Sequence, residues 1–154
     1  MNNLIGQKAP DFSLTADDGS TFESTTLHGS WRVLFFYSKH GSPTCKRGCL
    51  TFKEQYDLFK SVGCEVVGIG PGSVEDLIKF KNSIGDLPFP LLADEDRSVG
   101  EAYSVPLHVG QFPAKSSFII SPENTIHYVY DWLFRPRKHV ANILSELSTV
   151  KGDN

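Results

Sequence analysis

The chain has 154 residues, 40% hydrophobic and 21% charged, the profile of one soluble globular domain over residues 1–154 that closes a core without disulfide or metal staples. Its 15 Lys and Arg stand against 18 Asp and Glu, a formal net charge of −3, which argues against a general nucleic-acid or anionic-membrane binder. The longest apolar run, residues 33–37, is far short of the ~20 residues of a spanning helix. Residues 1–6 lack the basic and apolar stretches of a secretory signal, so a cytoplasmic protein is expected. Three cysteines, Cys45, Cys49 and Cys64, do not suit a secreted disulfide framework, and the default reading of each is a small buried hydrophobe.

In chain order, residues 6–14 read as an extended lead-in, because Ala9-Pro10-Asp11 disfavours helix. Asp17-Asp18-Gly19-Ser20 is a turn signal. Residues 31–37 are apolar, aromatic and continuous, which suits a buried central strand. A loop over His40-Gly41-Ser42-Pro43 leads to a helical pattern over residues 44–62, with Phe52, Tyr56 and Phe59 on one face and Gly63 as its stop. Residues 64–69 form a second apolar strand closed by Gly70-Pro71-Gly72. Ser73 is a candidate N-cap for a helix running to about Ile84. Residues 88–93 are a short extended piece and residues 96–103 a short helix, with Asp94-Glu95-Asp96 at the turn between. Residues 117–121 and 125–132 are β-rich and joined by Pro122-Glu123-Asn124, a hairpin pattern. Residues 136–147 form a last helix with Val140, Ile143, Leu144 and Leu147 on one face. Early strand–helix alternation followed by a hairpin predicts an α/β sandwich with a mixed central sheet.

The chemistry concentrates between the first apolar strand and the long helix. Cys45 falls in that helix's first turn, where unpaired N–H groups and the positive end of the dipole favour an anion. Lys46 and Arg47 add positive charge, and the thiolate is the reactive form of cysteine. Ser42 offers a hydroxyl to Cys45 or to a substrate oxygen. His40 is in the same loop. Strand–loop–helix placement, a nearby hydroxyl and a second thiol at Cys49 set Cys45 apart from an ordinary core cysteine.

At these residues the sequence resembles the peroxiredoxins, of the bacterioferritin-comigratory-protein or PrxQ branch, from about Ile5 to Leu147. The resemblance rests on residues 6–14 (Gly-Gln-Lys-Ala-Pro-Asp-Phe-Ser-Leu), 37–45, 64–69, 87–95, 113–120 and 134–140. It implies a thioredoxin-like, three-layer α/β sandwich with a mixed central β-sheet. It also implies a thiol-dependent peroxidase for hydrogen peroxide or organic hydroperoxides, with no cofactor and no metal, reduced by thioredoxin or a similar dithiol. The resemblance implies a monomer or weak dimer; the expectation that it binds neither nucleic acid nor membrane rests on the net charge and the short apolar runs. The family pattern Pro-x-x-x-Thr/Ser-x-x-Cys places the peroxidatic cysteine at Cys45 and the hydroxyl at Ser42. Ser38 replaces the proline, and Lys115 stands at the family's arginine position. Lysine keeps the charge but loses the planar fork that holds two acceptors together.

In the implied mechanism Cys45 becomes a sulfenic acid that a second thiol converts to a disulfide. The branch usually carries its resolving cysteine five residues later, where Leu50 stands here; Cys49 is the candidate instead. Helix neighbours four apart have Cβ atoms ~5–6 Å apart, whereas a disulfide wants ~3.8 Å, so bonding requires about a turn to unwind. Gly48 between them lowers helix propensity. Cys64, at a strand start, reads as structural. Two alternatives accompany this reading: a Sco-like copper protein using Cys45-x-x-x-Cys49 with His108 as the nearest imidazole, and a degenerate peroxiredoxin acting as a redox sensor or binding module. His127 and His139 form no metal-ligand spacing. Trp31 and Trp132 read as core or edge aromatics, and Arg135 and Arg137 as solvated charges.

Overall fold

A computed structural model describes residues 4–37, 43–105, 116–131 and 136–152. Its strands are β1 (Ser13–Ala16), β2 (Thr21–Glu23), β3 (Trp31–Phe36), β4 (Cys64–Pro71), β5 (Leu91–Asp94), β6 (Ser116–Ile120) and β7 (Ile126–Asp131). Its helices are α1 (Pro43–Glu54), α2 (Tyr56–Ser61), α3 (Val74–Ile84), α4 (Ser98–Ala102) and α5 (Pro136–Gly152), with a short 3-10 helix over Ser24–Leu27. Among the described residues the strands form one seven-stranded sheet in the order β2-β1-β5-β4-β3-β6-β7. The β3–β4 and β4–β5 pairs are parallel. The β1–β2, β1–β5, β3–β6 and β6–β7 pairs are antiparallel. The expected mixed α/β sheet is therefore present.

Side chains alternate across this sheet, as the two-residue period of a strand requires. Val33, Phe35 and Tyr37 enter one apolar cluster with residues from α1, α2, α3 and α5. Leu34 and Phe36 enter the other, with Leu27, Val99 and Tyr103. A strand buried on both faces carries no polar alternation, which is why residues 33–37 read as a continuous apolar run; Arg32, at the start of β3, is a buried charge that donates to Leu27 O at 3.3 Å.

Several elements differ from the sequence expectation, among them β4, which runs through Gly70 to Pro71 instead of closing at Ile69. The pattern over residues 44–62 is two helices, because the chain tightens at Gln55 (φ −97°, ψ 5°). The hydrogen-bond ladder passes through that point, from Gln55 N to Thr51 O at 3.1 Å and from Phe59 N to Gln55 O at 3.2 Å. Packing of Phe52 against Phe59, with centroids 5.6 Å apart, sets the offset, and no Gly or Pro marks it. The turn over residues 17–20 joins two strands, β1 and β2, that composition did not reveal. Asp18 accepts from Ser20 N and Oγ there, and Gly19 takes φ +86°. The last helix runs to Gly152 rather than Leu147. The β6–β7 hairpin and the Ser73 cap are as expected, with Asn124 at φ +63° and a full capping box at Ser73.

Candidate active site

The parallel β3–β4 pair brings the C-terminal end of β3 beside that of β4, with Phe36 opposite Ile69 and Tyr37 N donating to Ile69 O at 3.1 Å. The antiparallel β6 begins at the same end, with Ser116 opposite Phe36. The helix that follows β3 starts at Pro43, a residue suited to the first helical position because its missing N–H has no partner there anyway. Cys45 is the third residue of that helix, inside the turn whose free N–H groups favour an anion. Ser38, His40, Ser42, His108, Lys115, Trp132 and Arg135 lie outside the described residues.

Cys45 and Cys49 are free thiols, both fully buried in one apolar cluster with Phe35, Tyr37 and Phe52. They stand one turn apart on α1 and so share a face. Burial pushes the Cys49 thiol far above its ordinary range, and the neighbouring Cys45 adds to the rise. While α1 is intact, Cys49 is therefore a protonated, enclosed thiol. Phe35 stacks on Phe52 with centroids 4.4 Å apart, which pins α1 beyond Cys49 to the sheet. The turn carrying Cys45 precedes that anchor.

Cys64 belongs to the same apolar cluster but lies at the opposite end of β4 from the β3–α1 connection. It opens β4 opposite Trp31, at the far end of the register from Phe36 and Ile69. At ~3.3 Å per residue that places it roughly 16 Å from the site end. Cys64 is fully buried, and it serves packing.

Two residues that sequence reading left in the background lie under α1. Tyr37 is fully buried and stacks on Phe80 of α3, centroids 5.2 Å apart. Its ring occupies the space a side chain at Gly70 would fill: a Cβ there would stand 2.1 Å from Tyr37 Cζ and 2.2 Å from its Oη. Gly68, two residues earlier, makes the same room for Phe35, whose Cζ would lie 2.6 Å from an added Cβ. The signal was in the sequence as two glycines at alternate positions of one strand beside two large aromatics at alternate positions of its partner. Gly70 instead read as part of a turn.

Elsewhere, Asp94 accepts from Val99 N at 3.1 Å and Gly100 N at 2.8 Å and so caps α4, as its place before a helix suggested. Burial raises its pKa despite those bonds. Trp31 is half-buried and meets His127 edge to face, centroids 5.6 Å apart. Among the described residues no group of three or more His, Cys, Asp or Glu stands together as a metal site.

The AhpC/TSA family model matches residues 5–129. Peroxiredoxin Q, chloroplastic, of Sedum lineare is 31% identical over 147 residues, covering 95% of this chain and 78% of that protein. The same-named protein of Oryza sativa subsp. japonica is 30% identical, covering 94% and 67%. Among solved structures, Mycobacterium tuberculosis AhpC is similar with a TM-score of 0.85 at 26% identity, covering 97% of this chain and 94% of that one. Peroxidoxin BcpB from the same organism superposes with a TM-score of 0.85 at 24% identity, covering 95% and 97%. The Sco-like alternative is not favoured by these likenesses.

Proposed function

The chain belongs to the AhpC/TSA family, has the thioredoxin-like fold of the peroxiredoxins and is a thiol-dependent peroxidase, and from that premise we propose that Cys45 is its peroxidatic and Cys49 its resolving cysteine. One observation carries the assignment: Cys45 sits in the first turn of α1, which follows the site end of β3, with Cys49 one turn on and Cys64 at the opposite end of β4. The Cys45 thiol gives up its proton, its thiolate attacks a peroxide oxygen, the O–O bond breaks, and the departing hydroxide or alkoxide takes up that proton to leave as water or alcohol. Cys45 is then a sulfenic acid. Opening of the first turn of α1 brings its sulfur to Cys49. The S–S bond forms and the sulfenic oxygen departs as water with the Cys49 proton.

An external dithiol of the thioredoxin kind returns the pair to thiols by exchange. Its substrates are hydrogen peroxide or organic hydroperoxides. Ser42 supplies a hydrogen bond to the reacting oxygen, and Lys115 the second positive charge. The family resemblance further suggests a monomer or weak dimer, and the net charge of −3 speaks for a protein without nucleic-acid or membrane partners. The start of the chain, without a basic and apolar signal stretch, is the ground for proposing the cytoplasm, although the curated relatives named above are chloroplastic. No helix among the described residues is long and apolar enough to cross a membrane.

The test is peroxide consumption by reduced protein with sulfenic acid trapping. Cys45→Ser is expected to lose both peroxide consumption and the trapped adduct, and unchanged consumption would sink the assignment. Lys115→Arg restores the planar fork and is expected to speed sulfenic acid formation about severalfold, on the scale of one charge-assisted hydrogen bond. A slower Lys115→Arg enzyme would remove Lys115 from the site.

A further inference from the structure

The strand β7 breaks its alternation at one residue, and that residue is a histidine. The β6–β7 register passes from Ile120 opposite Ile126 to Ile119 opposite Tyr128, which leaves His127 as the extra residue of a bulge. Ile126 and Val129 both enter the apolar cluster on the α4 side of the sheet. Strict alternation back from Val129 would send His127 to that side as well. The bulge reverses this, since a bulge re-aims a side chain, and His127 instead meets Trp31 and Glu146. Trp31 packs on the cluster that holds Cys45 and Cys49. Glu146 is the only acidic residue of α5.

His127 Nε2 stands 3.5 Å from Glu146 Oε2, the two side chains 35% and 25% exposed. The Trp31 ring, edge to face at 5.6 Å between centroids, holds the imidazole beside the helix. The other titratable side chains on this face of β7 are Tyr128 and Tyr130, stacked at 4.7 Å, and phenols carry no charge well below about pH 10. Arg32, next to Trp31, points to the other face and donates to Leu27 O. The charge of this junction is therefore decided by the imidazole, which gains a proton between about pH 8 and pH 5. Only the protonated ring makes an ion pair with Glu146, so the contact tightens as pH falls through that range while Glu146 stays ionised.

The helix so fastened is the one that α1 leans on. Val140, Ile143 and Leu147 of α5 are fully buried in one cluster with Cys45, Cys49 and Phe52 of α1. Alongside, Thr51, Glu54 and Gln55 face Ala141 and Leu144 across a cleft of about 210 Å³, which leaves the two helices room to shift against each other. The turn carrying Cys45 thus opens out of a cluster that α5 closes. We propose that His127 and Glu146 form a pH-dependent latch on α5 that restrains the opening of α1 and slows the Cys45–Cys49 disulfide step in acid. The proposal rests on the cysteine assignment above, with His127 and Glu146 as positioning residues that touch neither sulfur.

The experiment compares the wild-type protein with His127→Gln, Glu146→Gln and the double variant at about pH 5.5 and about pH 8, either end of the imidazole range. Each quantity is read as the ratio of variant to wild type at one pH, so the titration of the thiols cancels. Amide hydrogen exchange over residues 140–149 of the reduced protein reads the hold on α5. Single turnovers read sulfenic acid and disulfide formation separately. At about pH 5.5, His127→Gln is expected to speed both α5 exchange and disulfide formation about two- to fivefold, the scale of a partly exposed ion pair. Sulfenic acid formation is expected to stay as it was, and at about pH 8 all ratios are expected near one. Glu146→Gln and the double variant are expected to match His127→Gln in acid, because two partners of one contact do not add.

An α5 exchange ratio that is unmoved, or moved equally at both pH values, overturns the latch; equal movement is the pattern of a purely packing role. Faster α5 exchange in acid with an unmoved disulfide ratio overturns the restraint on α1 and the proposal with it. Cys49→Ser is run alongside. If it still forms an internal disulfide, the cysteine assignment falls and takes the restraint on that step with it. A normal Cys49→Ser result with unmoved ratios for His127→Gln removes the proposal alone.

Discussion

Two helices pack on the same face of the sheet and are built to opposite standards. In α3, Ser73 Oγ accepts from Asp76 N at 3.2 Å and Asp76 Oδ2 accepts from Ser73 N at 3.1 Å, a reciprocal cap. Glu75 and Asp76 complement its positive end, Lys81 lies in its last turn, and Gly85 at φ +87° closes it. The α1 helix has no acidic residue in its first turn and carries Lys46 and Arg47 at its start, which oppose the dipole. Gly48 sits in its interior. Thr51 turns its hydroxyl back onto Arg47 O at 2.7 Å, a contact that bends helices. The helix ends in the break at Gln55. Local stability is thus concentrated where nothing needs to move. It is withheld from the helix that the proposed Cys45–Cys49 disulfide would require to open, and elements that rearrange in function are drawn from the less stable end of a fold.

The largest expected effect separates the thiols of α1 from the thiol of β4. Cys49→Ser is expected to abolish the internal disulfide and to let sulfenic acid accumulate and over-oxidise under excess peroxide. Cys64→Ser, at the far end of the sheet, is expected to leave disulfide formation intact and to show itself in stability, since it places a hydroxyl in an apolar site. Mass spectrometry of the oxidised variants checks both. A disulfide involving Cys64 would overturn the separation.

A smaller effect comes from exchanging strength between the helices. Gly48→Ala raises helix propensity in α1 by about 1 kcal/mol and is expected to slow disulfide formation by up to about fivefold while leaving sulfenic acid formation alone. Ser73→Ala removes the α3 cap and is expected to cost about 1 kcal/mol of global stability without changing either chemical step. Urea unfolding paired with single-turnover kinetics reads both. If Ser73→Ala slows the disulfide as much as Gly48→Ala does, opening is not local to α1.

Much of this arrangement was legible because it is written in local chemistry. The Ser73 cap, the β6–β7 hairpin and the largely apolar β3 follow from residue types within a few positions of one another, and the fold class followed from their order. The break at Gln55 and the β1–β2 pair were not legible. The β1–β2 pair lies beside a partner distant in sequence, Ala93 and Leu92 of β5 against Thr15 and Ala16, while the break at Gln55 carries no Gly or Pro to mark it and shows only in the packing of Phe59 on Phe52. In the candidate site, the place of Cys45 and Cys49 at the start of a helix was legible. Tyr37 was not, because its partner is a glycine on another strand, and a glycine's contribution is the absence of a side chain. Gly70 beside Pro71 and Gly72 looks like punctuation until the β3–β4 register places it under an aromatic ring.

The smallest expected effect concerns α2, which follows α1 without sharing its role. Lys60 Nζ donates to Glu65 Oε1 at 2.7 Å and joins the end of α2 to β4, with both side chains partly exposed. The Glu65 carboxylate holds Lys60 above its ordinary pKa of 10.5. A cation whose pKa is raised by folding contributes stability that is fully present below its unfolded value and is lost as pH rises through the folded one. The pair should therefore contribute equally at pH 7 and pH 9 and fade only above about pH 10.5. Screening keeps its size to a few tenths of a kcal/mol. Lys60→Met should lower the urea midpoint slightly at pH 7 and low salt, and the difference should disappear in about 1 M salt. A loss well above 1 kcal/mol, or any change in the rate of the Cys45–Cys49 disulfide, would mean that α2 is held by this pair rather than by Phe59 in the core, and that its attachment governs the opening of α1.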